Sequence, residues 1–183
     1  MTRRRLRGAG WLAMASAILA IPWFIFTFFL AEKGGAVAKA AEAAMLVAGT
    51  ALTVYLLVAL QRLLHETYGF RDADLPIRLL IKANVVSAAV SLLGLVLTEL
   101  ESAIGIFGFV MVVVVGILQA FFGARLLRLP DTLQGLLRPY CYLNIVTGAC
   151  LVLIVAIPLG MLTGAVADVM LGTIFFQAAA AAE

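Results

Sequence analysis

Apolar positions in this chain come in long unbroken blocks, not in the alternation of a strand or the one-sided stripe of a surface helix. Blocks of this kind are spanning helices, since a helix that crosses hydrocarbon needs roughly 20 apolar residues on all its faces. The polar punctuation predicts six of them, over residues 8–31, 36–68, 75–98, 103–129, 140–157 and 160–181. The fold class is therefore all-α, a polytopic transmembrane bundle of six spans forming a single integral membrane domain over residues 1–183.

The boundaries follow from local chemistry. Glu32 to Gly35 forms a polar turn, and Pro22 sets a kink in the first helix. Gly69 suits a left-handed stop for the second helix. Asp74 can cap the third, with Pro76 tolerated in its first turn. Glu99 to Ser102 is a minimal turn. Pro130 ends the fourth helix, and Asp131 to Gln134 has the form of a capping box opening a short interfacial helix to Arg138. From Tyr140 onward the chain is apolar for far longer than one bilayer crossing, so it must turn, and the sequence around Pro158 and Gly160 is the expected place.

Composition sharpens the reading. The chain is 64% apolar and 13% charged, against about 45–50% and about 25% in soluble domains. A soluble enzyme, a disordered chain and a disulfide-stapled secreted domain are excluded. Charge placement then orients the spans. With the amino terminus in the cytoplasm, Arg3, Arg4, Arg5, Arg7, Arg62, Arg71, Arg78, Lys82, Arg125, Arg128 and Arg138 fall inside, and Lys33 and Lys39 outside. This is the positive-inside pattern of a bacterial-type inner membrane protein with both termini cytoplasmic. The basic tip reads as an anchor for the first helix, because the apolar run behind it is too long for a signal peptide.

An offset of sixty residues matches Arg78, Asn84 and Ala89 with Arg138, Asn144 and Ala149. This suggests a parallel repeat of helical hairpins 2–3 and 4–5, with chance similarity in apolar sequence as the rival.

Candidate chemistry is sparse. An ionisable residue inside a membrane is a functional candidate by default, and Asp168 is the clearest. Gly160, Gly164, Asp168 and Gly172 recur every four residues, a small-residue stripe for close helix packing. Lys39 and Glu42 lie at a comparable depth on helix 2, so Asp168 could pair with either, or bond a neighbouring helix as structural glue. A second polar layer toward the cytoplasm holds Asn84, Asn144, Gln119, Ser87 and Thr147, with Arg78, Lys82, Arg125 and Arg138 at its rim. It reads as interhelical glue or as a cavity for an anion or headgroup.

Cys141 and Cys150 are nine residues apart, on opposite helix faces, and read as small apolar residues. His65 is the single histidine, which leaves no His pair for haem and no nitrogen-rich zinc site. It reads as a solvated surface residue. No nucleophile elbow, zincin, phosphate-loop or dinucleotide motif occurs, so neither cofactor nor metal is expected. The basic loops suit anionic lipid, not nucleic acid. The expected role is non-enzymatic: a subunit or scaffold packing with itself or with a membrane partner. A proton-coupled permease using Asp168 is the first alternative, and a lipid-handling enzyme the second.

Overall fold

A computed structural model describes residues 2–33, 35–97, 101–129 and 135–181. Among these residues every regular element is helical: α1 Arg3–Lys33, α2 Ala36–Tyr68, α3 Asp74–Val96, α4 Glu101–Leu126, α5 Leu137–Val152 and α6 Ile157–Ala181. Four of them, α2, α3, α4 and α6, are long and apolar enough to cross a membrane. The capping box at 131–134 and the outer turn at 98–100 lie outside the described residues.

Several boundaries move from their expected places. Helix α1 begins at Arg3, so the basic tip is helical, its first N–H groups closing on the Thr2 carbonyl. The same helix runs on past Pro22 to Lys33, taking in residues expected to form the turn. Gly69 does end α2, at φ 61°, with its N–H on the His65 carbonyl and that of Phe70 on Leu64. Asp74 does not cap α3. It is the first helical residue, and its carboxylate is drawn to α2 instead. Helix α4 stops at Leu126 and tightens into a three-residue turn, consistent with the constraint a proline places on the residue before it.

The turn between α5 and α6 also differs. It falls at 153–156, not at the proline, and α5 is only 16 residues long. Pro158 sits instead in the first turn of α6, where its missing N–H leaves no bond unmade. The reversal is made by Ile154, at φ 48° the only non-glycine residue with positive φ among the described residues. A β-branched side chain in that region costs about 1–2 kcal/mol.

The six helices form a closed ring. Each packs on its neighbours in sequence, and α6 returns to α1. No helix among the described residues packs backbone to backbone across the ring. The large, fully buried side chains lie at one end, where α1, α3 and α5 begin and α2, α4 and α6 finish. Leu60 and Leu64, Ile77, Phe122 and Leu126, Leu137, Ile174 and Phe175 meet there. We call this end the base. At the other end the described surface is rich in exposed Val, Ile, Leu and Phe, among them Val37, Val96, Ile106, Phe109 and Leu162.

Small residues allow the tightest approaches. A Cβ on Gly116 would lie 2.7 Å from the Gly148 carbonyl oxygen, and one on Gly123 2.7 Å from that of Cys141. Helices α4 and α5 therefore touch backbone to backbone, which lipid-embedded helices use to gain van der Waals contact. The glycines of α6 serve two different seams. Gly160 and Gly164 face α5, at Cys150 and Thr147, while Gly172 meets the Gly10 carbonyl of α1.

Glycines of the adjacent helices α4 and α5 should therefore respond with opposite signs. Gly148→Ala would press its methyl onto the Gly116 carbonyl and within 3 Å of Ala120, and should lower stability by roughly 1–3 kcal/mol. Gly108→Ala meets nothing within 4 Å and should raise it by up to about 1 kcal/mol through helix propensity. Thermal unfolding in detergent micelles reads both.

Candidate functional site

The ring encloses a cavity of about 160 Å³ at mid-height, directly above the packed base. All six helices contribute to its wall. Ser16 comes from α1, Thr53 from α2, Asn84 from α3, Gln119 and Phe122 from α4, Tyr140 and Asn144 from α5, and Asp168 from α6. Leu56, Leu57, Leu80, Val115 and Leu171 complete it. The antiparallel succession of helices produces this. It brings the early residues of α3 and α5 level with the late ones of α2 and α4, so polar side chains far apart in sequence share one depth.

Among the described residues Asp168 is the only charged side chain in the wall. Ser16 Oγ donates a hydrogen bond of 2.8 Å to its Oδ2. That bond joins the first helix to the last. Among the described residues the wall carries no Lys, Arg or His beside it. A carboxylate without a fixed counter-charge in the membrane interior recruits one, as a proton or a small cation.

The amides are fixed by their own helices. Asn84 Nδ2 donates to the Leu80 carbonyl at 2.9 Å, and Asn144 Nδ2 to the Tyr140 carbonyl, also at 2.9 Å. These are the same bond, four residues back, made by two residues sixty apart. Both residues line the cavity, and the Asn144 amide oxygen accepts from Gln119 Nε2 at 3.3 Å. Thr147 leaves this group. It pairs with Thr163 at 2.8 Å in the α5–α6 seam. The Phe122 and Tyr140 rings meet edge to face at the cavity floor, 6.4 Å between centroids.

The structure thus unites what the sequence divides into two layers: Asp168 belongs with Asn84, Asn144 and Gln119. Its expected partners on α2 stand elsewhere. Lys39 is exposed and donates to the Leu95 carbonyl of α3 at 3.1 Å, and Glu42 does not line the cavity. Of the cationic rim, Arg78, Lys82 and Arg138 are exposed, and Arg125 lies over the Phe121 ring at 4.9 Å. None of them reaches the cavity wall. Ser87 is half-buried and outside it as well. Sequence reasoning missed Ser16, Thr53 and Tyr140. The one available signal was Ala9, Ala13 and Ala17, a small-residue stripe that marks the face of α1 on which Ser16 sits.

Compared with known proteins, the chain matches no family model, no curated protein and no solved structure. Its reading rests on its own geometry.

Two further groups are settled by that geometry. His65 is half-buried rather than solvated, and its Nε2 lies 2.6 Å from Asp74 Oδ1, which also accepts from Gln61 Nε2 at 3.0 Å. The three residues fasten the end of α2 to the start of α3 at the base. Cys141 and Cys150 are buried free thiols. Among the described residues no three His, Cys, Asp or Glu side chains gather closely enough to hold a metal ion.

Removing the Ser16 hydroxyl would leave a carboxylate oxygen without its donor. Ser16→Ala should cost about 1–2 kcal/mol in thermal unfolding. Thr173→Ala, which loses only a bond to the Val169 carbonyl of its own helix, should be nearly neutral by the same measurement.

Proposed function

We propose that the chain is a six-span inner-membrane permease of small size. It takes a proton or small monovalent cation at Asp168 and a small polar solute beside it. The observation that carries this reading is the cavity itself: one half-buried carboxylate and a set of amide and hydroxyl groups, walled by all six helices. Packing glue needs a partner for each polar group, and a shared space among them adds nothing to it. Transporters place their sites near the midplane, between elements that can move apart.

Other features support the same reading. The packed base lies below the cavity on the side that the arginines mark as cytoplasmic, which supports a state closed toward the cytoplasm. Asn84 and Asn144 take equivalent places in hairpins 2–3 and 4–5, which favours the parallel repeat. The role is non-enzymatic, with both termini cytoplasmic.

A second reading, a subunit that packs with its own kind or with a membrane partner, is favoured by a different observation. The α6 glycines are occupied within the chain, but Gly105 and Gly108 of α4 meet nothing within 4 Å. They would be that subunit's association face.

Proteoliposomes separate the two. With an imposed pH gradient, or a sodium or potassium gradient, the protein should dissipate it. Asp168→Asn keeps the shape and the bond to Ser16 while removing the charge, and should cut that flux at least tenfold with little change in unfolding temperature. Equal flux from the Asn variant sinks the permease reading. No flux from the wild type under any of these gradients, together with dimers lost in Gly108→Leu, establishes the packing subunit instead.

A further inference from the structure

A second cavity, of about 320 Å³, opens between α1 and α2 at the base. Its volume lies in the usual range for small-ligand sites, about 300–1,000 Å³. Among the described residues five line it: Arg5 from α1, and Tyr55, Val58, Ala59 and Arg62 from α2. The four from α2 stand at intervals of three, one and three, which places them on one helix face. The groove therefore has a direction. Arg62 lies about 10 Å along the helix from Tyr55, toward the base and away from the membrane centre. Ala59, only 2% exposed, forms the floor between them, with Val58 beside it.

Both arginines are exposed, and among the described residues neither has a hydrogen-bond or carboxylate partner. Two guanidinium groups facing one groove repel each other unless an anion lies between them. Each presents a planar fork that matches phosphate oxygens in pairs. Below the two cations the groove turns apolar, through Ala59 and Val58 to Tyr55, 43% exposed.

We infer that this groove is a binding site for an anionic phospholipid. Arg5 and Arg62 grip the phosphate, the glycerol lies over Ala59 and Val58, and the first acyl carbons run past the Tyr55 ring. The cytoplasmic leaflet supplies that lipid, and basic pockets between spanning helices on that side suit it. The gradient from charge to apolar surface within one groove distinguishes this occupant from soluble phosphate, which would use the arginines alone. The inference rests on the membrane reading and not on the permease reading, so it stands or falls separately from Asp168.

Native mass spectrometry of the detergent-solubilised full chain, given phosphatidylglycerol or phosphatidylcholine in equal amount, counts retained lipids. The expected result is selective retention of phosphatidylglycerol. It should fall roughly tenfold or more in the double variant Arg5→Gln, Arg62→Gln, and remain in the control Arg71→Ala, Arg128→Ala. Val58→Trp keeps both charges and fills the groove. It should also lose the lipid, which keeps the test valid if the double variant fails to fold. Equal retention of the two lipids overturns the site, as does unchanged retention in Val58→Trp, or equal loss in the control. Inorganic phosphate should leave the unfolding temperature unchanged where phosphatidylglycerol raises it. An equal rise with phosphate alone overturns the lipid assignment.

Discussion

Six helices joined by short turns would lie side by side as an open row if the last did not come back to the first. The seam between α1 and α6 turns the row into a ring. Gly172 brings the backbones together at Gly10, where an added methyl would sit 3.0 Å from the carbonyl. The Trp11 and Phe176 rings then meet edge to face at 5.6 Å. Ser16 and Asp168 complete the seam one and a half turns further along α1. Everything on the inside of the ring exists because this seam is made. Without it the carboxylate would face lipid, and a charge there is among the costliest placements a membrane helix can carry.

The carboxylate is thus both a product of closure and a reason for it. Hydrogen bonds between spanning helices contribute only about 0.6 kcal/mol on average, so Ser16 does not hold the seam alone. The glycine contact and the buried alanines of α1 supply the packing, and the hydroxyl sets the register in which that packing occurs. The polar cavity is then possible because each amide first satisfies its own helix. Asn84 and Asn144 spend their N–H groups on carbonyls four residues back. Their oxygens are then left to serve the shared interior, where that of Asn144 accepts from Gln119.

Much of this was legible in the chain. Block length predicts six helices, and Gly69 ends α2 where a left-handed stop was expected. Asp168 and the three amides stood out as polar residues in apolar surroundings. What the sequence concealed was depth. Helical rise places a residue along its own helix but says nothing of how one helix slides against another. So Asp168 seemed level with Lys39 and Glu42, and separate from the amides it joins. Pro158 misled for a related reason. A proline breaks a helix from inside yet suits its first turn, and only tertiary packing decides which applies. Asp74 has the right chemistry for a cap, but His65 and Gln61 of the preceding helix compete for the same carboxylate.

The uneven filling of the ring has a kinetic meaning. Cooperative opening units follow buried contact, not helix boundaries. Each long helix here has one end embedded in the Leu60, Ile77, Phe122, Phe175 cluster and the other end outside it. One covalent rod therefore passes through two regions of very different local free energy. The base behaves as a clamp that holds six rods by their ends. The opposite ends meet at such points as Lys39 on the Leu95 carbonyl and Gly160 against Cys150, so a disturbance there travels both through these contacts and by leverage on the clamp.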